Sequence, residues 1–153
     1  MNPLQEIENK FIVSLGKQLM EDMTVNIMNV QDKSMTVSTI RSKWVMQYFK
    51  EKEYLQKLKR VKSKLVDTEI DNLQTTNTQY RNISRIRLEN QVCKDNIKIS
   101  KMDKMIKDQQ EVIKFMEYAL NIVSDFNFTI KHALESLKMN KPNGDSLCIE
   151  RYG

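Results

Sequence analysis

From Pro3 onward, apolar residues recur every three or four positions as Leu4, Ile7, Phe11, Leu15, Leu19, Met23 and Ile27. That spacing places them on one face of an α-helix. Pro3 suits a first helical position, since its missing N–H would have no intrahelical partner there. Glu6 and Glu8 put carboxylates where the helix dipole favours them. Gly16 costs this helix about 1 kcal/mol relative to Ala. The polar stretch from Asn29 to Ser34 ends it. A second face, Val37, Ile40, Trp44, Tyr48, Leu55, Leu58, Val61 and Leu65, predicts a helix from near Ser34, its seam lacking an apolar residue only around Glu51 and Lys52. In DNLQTTNTQ, residues 71–79, Asn and Thr side chains compete for backbone hydrogen bonds, which predicts a turn that folds the chain back.

The last long segment has the clearest periodicity. Met102, Gln109, Met116, Val123, Ile130 and Leu137 form one seven-residue series, and Ile106, Ile113, Leu120, Asn127 and Leu134 form a second interleaved with it. Only Gln109 and Asn127 are polar. A repeat of 3.5 residues sustained this far predicts helices supercoiled on one another, within a chain or between chains. Lys141-Pro142-Asn143-Gly144 must end the helix.

Composition strengthens the helical reading. The 153 residues contain three Gly and two Pro, and neither type occurs between Gly16 and Pro142. The expectation is an all-α fold of long helices in a coiled coil or bundle, assembled as a ring-like homo-oligomer, because the long seam leaves apolar surface without an obvious intrachain partner. A monomeric three-helix bundle closed on its own seams is the alternative. The expected organisation is an amphipathic helix over residues 1–33, a helical hairpin core over 34–141 and a flexible tail over 142–153. Met102, Ile106, Ile113, Met116, Leu120, Val123, Ile130, Leu134 and Leu137 are the expected oligomerisation residues.

The net charge of +5 admits nucleic acid, acidic proteins or anionic membranes as partners. Cys93 and Cys148 lack the spacing of a zinc or redox motif, and the single His132 does not complete one. No metal or cofactor is expected. No apolar run approaches the roughly 20 residues needed to span a bilayer, and MNPLQEIENKF lacks the order of a signal peptide. A phosphate-cradling loop, an HExxH helix and a nucleophile elbow are all missing from the sequence, so an enzyme is not expected.

YLQKLKRVKSKL, residues 54–65, concentrates the charge: five of the eight residues from Lys57 to Lys64 are cationic. At about 100° per residue, Tyr54, Leu55, Leu58, Val61 and Leu65 share one arc. Lys57, Arg60 and Lys64 form a line outside it, continued by Lys50 and interrupted by Glu53. Lys62 sits on the edge of the apolar arc, and Lys59 falls on a different side. Phe49 lies on the cationic side, where a base can stack on its ring while cations hold the backbone of a single strand. Trp44 and Tyr48 belong with the apolar seam. A second basic set, Arg81, Arg85, Arg87, Lys94, Lys98 and Lys101, fits either a solvated face or a further anion contact.

Two stretches carry a family resemblance. RSKWVMQYFKEKEYLQKLKRVKSKL, residues 41–65, resembles the Lys-rich second-helix region of the UvsY-like recombination mediators of T-even-type bacteriophages. FNFTIKHALESLKMNKPNG, residues 126–144, is similar to that family's C-terminal F-x-I-K-H pattern, here Phe128, Ile130, Lys131 and His132. The resemblance implies an all-helical ring that is not an ATPase. It also implies binding of single-stranded DNA and loading of a RecA-like phage recombinase, of the UvsX type, onto DNA covered by the phage single-strand-binding protein. The implied place of action is the cytoplasm of the infected bacterial host. LVDTEID, residues 65–71, departs from the pattern by placing acidic residues where the family continues with basic and aromatic ones. The expected DNA-binding residues are Phe49, Lys50, Lys57, Lys59, Arg60, Lys62 and Lys64, with no membrane partner. The competing expectation is a structural coiled-coil adaptor or scaffold without nucleic-acid binding.

Overall fold

A computed structural model describes residues 3–26 and 28–139, with side chains from residue 10 onward. The described elements are α1 (Pro3–Met23), α2 (Val30–Thr76), a 3-10 turn (Thr78–Asn82), α3 (Arg85–Asp95) and α4 (Ile97–Met139). Among the described residues there is no β-strand. The all-helical expectation therefore holds, with differences at the breaks.

Three breaks are built on asparagine. Asn26 Oδ1 accepts from the backbone N–H groups of Met28 and Asn29 between α1 and α2. Asn77 Oδ1 accepts from Gln79 N after α2. Asn96 Oδ1 accepts from Lys98 N at 2.9 Å and Ile99 N at 3.3 Å, taking up donors that the first turn of α4 would otherwise leave orphaned. Side-chain capping thus does what Gly and Pro do elsewhere. The turn expected over residues 71–79 comes late, since α2 runs to Thr76, and the break at Asn96 had not been expected. The second helix starts at Val30 rather than near Ser34, because buried Val30 anchors its first turn. The divide drawn between residues 33 and 34 therefore falls inside α2. Ile27 and the expected helix end at residues 141–144 lie outside the described residues, as does the tail over 142–153.

α2 and α4 pair antiparallel: Lys62 meets Asp103, Glu51 meets Gln109, and Tyr48 meets Glu117. One core joins Leu15 and Leu19 of α1, Ile40 and Trp44 of α2, and Val112, Met116, Ala119, Val123, Phe126 and Ile130 of α4. A second joins Val66 and Ile70 of α2, Leu88 and Val92 of α3, and Ile99 of α4. Between them, Gln109 Nε2 donates to the Glu51 backbone oxygen at 3.1 Å and to its carboxylate at 2.8 Å, and Gln47 donates to the same carboxylate at 2.6 Å. The polar interruptions at Glu51 and Gln109 face each other, so each satisfies a group the other would leave bare.

This packing divides the residues of the expected oligomerisation seam. Met116 and Val123 are fully buried, and Ile113 and Ile130 nearly so, within the chain itself. Met116, Val123 and Ile130 are taken up by the intrachain core because α1 and α2 together cover the strongest stripe of α4. Met102, Ile106, Leu120, Leu134 and Leu137 are partly exposed.

Candidate nucleic-acid interface

α2 remains helical without interruption from Val30 to Thr76, so the angular order of its side chains persists along its whole length. Trp44, Leu55, Leu58, Val66 and Ile70 are buried on the inner side. The opposite side exposes Lys50, Lys57, Arg60 and Lys64. Phe49 sits among them with 62% of its surface exposed, one ring away from Tyr48 at 5.7 Å between centroids. Met46, also 62% exposed, adds an apolar patch one turn earlier.

The cations differ in how freely they can meet an anion. Lys57 is paired with Glu53 at 2.9 Å, and this partner holds the Glu53 carboxyl below the usual carboxylate range, first by its hydrogen bond and then by its charge. Lys50, Lys59, Arg60 and Lys64 are exposed, and among the described residues no carboxylate lies within 4.0 Å of their charged groups. Lys62 is half-buried and paired with Asp103 of α4 at 2.5 Å, which takes it out of the exposed set. The sequence reading grouped Lys62 with the other cations, and its pairing is tertiary: α4 packs along the side of α2 that Lys62 faces.

The SKW stretch has a structural role. Asp22 Oδ2, at the end of α1, accepts from Trp44 Nε1 at 2.9 Å and from Lys43 Nζ at 2.8 Å. Lys33 Nζ reaches the terminal carbonyls of Glu21 and Asp22 at 3.0 and 2.9 Å, satisfying acceptors that the helix end leaves free. Lys33, Lys43 and Trp44 together clamp the last turn of α1. No local pattern announces this clamp, since Asp22 and Trp44 are 22 positions apart. Tyr48 packs against the same core and donates its hydroxyl to Glu117.

In the second basic set, Arg85 is bound to Asp67 and to Glu89, and these two carboxylates raise its pKa further, the Glu89 hydrogen bond most. Asp67 belongs to LVDTEID, so part of that acidic stretch is neutralised within the fold. Arg81 donates to the Gln74 carbonyl, while Arg87, Lys94, Lys98 and Lys101 are exposed. In the F-x-I-K-H stretch, Ile130 is core, Phe128 is 64% exposed, and His132 lies 3.7 Å from Glu135. No group of His, Cys, Asp or Glu among the described residues has metal-ligand geometry. None of the described helices is long and apolar enough to cross a membrane.

Comparison with known proteins adds a family and a fold. Residues 18–143 match the family model described as recombination, repair and ssDNA binding protein UvsY. No curated protein sequence matches the chain. Crystal structures of the bacteriophage T4 recombination mediator protein UvsY share the fold. In lattice type IV the TM-score is 0.67 at 16% identity, covering 82% of this chain and 95% of that one. In lattice type II it is 0.65 at 15% identity, covering 82% and 94%.

Proposed function

Because the chain belongs to the UvsY family of recombination, repair and single-stranded-DNA-binding proteins, we propose that it is a recombination mediator that holds single-stranded DNA along the outer side of α2. The observation that carries this reading is the alignment of Lys50, Lys57, Arg60 and Lys64 with exposed Phe49 on one uninterrupted helix. Cations one or two turns apart hold successive phosphates, and the ring offers a stacking face to a base. Lys59 contributes from the flank.

One line of four cations binds weakly at physiological salt. Assembly into a ring-like homo-oligomer repeats it, and several copies on one strand gain effective concentration. With the inner stripe of α4 used inside the chain, Met102 and Leu137 remain for contacts between copies, together with the exposed parts of Leu120 and Leu134, whose inner sides pack on the core. The mediator then presents the strand to a RecA-like phage recombinase in place of the covering single-strand-binding protein, in the cytoplasm of the infected host.

The test is anisotropy of a labelled oligonucleotide over a salt series. Replacing Lys57, Arg60 and Lys64 by Ala is expected to weaken binding about tenfold or more and to flatten the log–log salt slope by up to about 2, at roughly 0.7 per phosphate contact. Unchanged affinity and slope would remove the stripe from the interface. Absence of any binding by the unaltered chain at physiological salt would leave a coiled-coil adaptor as the better reading.

A further inference from the structure

Lys59 and Lys62 fall off the linear stripe of α2, and Arg85 belongs to the other basic set, yet the fold brings all three to the wall of one groove between α2, α3 and α4. The groove has a volume of about 470 Å³, within the roughly 300–1,000 Å³ of small-molecule sites. Its apolar surface comes from Val66, Cys93 and Ile106. Its charged rim is mixed: Arg85 spans Asp67 and Glu89, Lys62 holds Asp103, and Lys59 has no carboxylate within 4.0 Å among the described residues.

The geometry points to a seat for one nucleotide of the bound strand, its phosphate on Lys59 beside the paired Lys62 and its base against Val66, Cys93 and Ile106. This inference rests on the proposed single-strand binding and adds where a base goes. The mixed rim selects the ligand class. An acidic peptide would bring several carboxylates to a rim whose other cations are already paired with Asp67, Glu89 and Asp103, whereas one nucleotide brings a single negative charge. A nucleotide carries a phosphate for the lysines, a flat apolar face for the floor, and base N–H donors for the carboxylates and for the Ser63 hydroxyl, which also lines the groove. The Lys62–Asp103 pair is only partly exposed, so Lys59, with no carboxylate partner among the described residues, takes the phosphate first, and Lys62 adds to its field while still paired.

Cys93 on the groove wall supplies a readout independent of affinity. The full chain with Cys148→Ser is alkylated with a maleimide, alone and with a saturating oligonucleotide, either of normal thymidines or of the same length without bases. Saturation is checked by anisotropy in the same samples. The expected result is that the base-bearing strand slows Cys93 alkylation at least about fivefold and the abasic strand far less. Ser63→Trp, a substitution at an exposed position that fills the groove, is expected to slow alkylation without DNA and to narrow the affinity gap between the two strands, leaving abasic binding unchanged. Saturated binding with unshielded Cys93, or equal shielding by both strands, overturns the nucleotide seat and leaves the α2 stripe standing. No binding by anisotropy overturns both.

Discussion

Lys57 is the residue at which the proposed interface is most easily strengthened. Glu53 neutralises it in the free protein and lies on the same line of α2. Glu53→Gln is therefore expected to raise affinity for single-stranded DNA about two- to fivefold, the scale of one exposed ion pair, with a steeper salt slope. The sign with pH follows from the lowered Glu53 pKa: the paired carboxylate persists to lower pH than a free one and is lost as pH falls through its own pKa. The difference between the two proteins should hold from neutral to mildly acidic pH and vanish once Glu53 protonates. Equal affinities at neutral pH would exclude Lys57 from the contact. At the other end of the helix, Asp22→Ala leaves the indole N–H of Trp44, itself 1% exposed, without its acceptor. The expected cost is about 1–3 kcal/mol, read as a lower urea midpoint from the emission of Trp44, the chain's one tryptophan. Adding Trp44→Phe should cost less in that background than in the unaltered chain.

At the scale of elements, α1 is held by what lies under it more than by its own propensity. Leu15 and Leu19 enter the same core as Trp44 and Met116, and Lys33 and Lys43 fix the helix end. Gly16 sits in the middle of this helix facing Phe115, and a Cβ added there would lie 4.0 Å from the ring, an ordinary contact. Gly16→Ala is thus expected to stabilise the protein by about 0.5–1 kcal/mol, visible as a higher urea midpoint. A lower midpoint would mean that α1 and α4 approach more closely than this spacing. α2 and α4 are long enough to carry separate tasks along one length. Their upper halves bury a core with α1, Glu51 and Gln109 hold the middle, and the far halves close around α3.

For the molecule as a whole, the decisive feature is that the strongest apolar stripe of α4 is used inside the chain. Met116→Ala is therefore expected to cost about 2–5 kcal/mol of folding stability while leaving the mass measured by light scattering unchanged at native conditions. A lower mass with an unchanged urea midpoint would instead place Met116 between subunits. The same division separates the two sides of α2: the inner side builds the fold and the outer side, with Lys50, Arg60 and Lys64, stays exposed.

Much of this was legible in the sequence, because the angle of a residue around a helix depends only on its position along that helix. The buried faces of α2 and α4, the exposure of Lys50, Lys57, Arg60 and Lys64, and the resemblance that pointed to the UvsY family all follow from local order. What lies opposite a face does not. Periodicity marked Glu51 and Gln109 as flaws in two seams, and only the antiparallel pairing of α2 with α4 made them partners. It gave Met116 and Val123 an apolar angle without saying whose surface would cover it. It set Lys62 at the edge of the apolar arc without saying that Asp103 on α4 would pair with it. Nothing local placed Arg85 beside Asp67, 18 positions away, or set Lys59 over an apolar groove. The chain's local order determined which side chains share a face, and the tertiary structure decided which faces meet, because pairing depends on where the chain turns back.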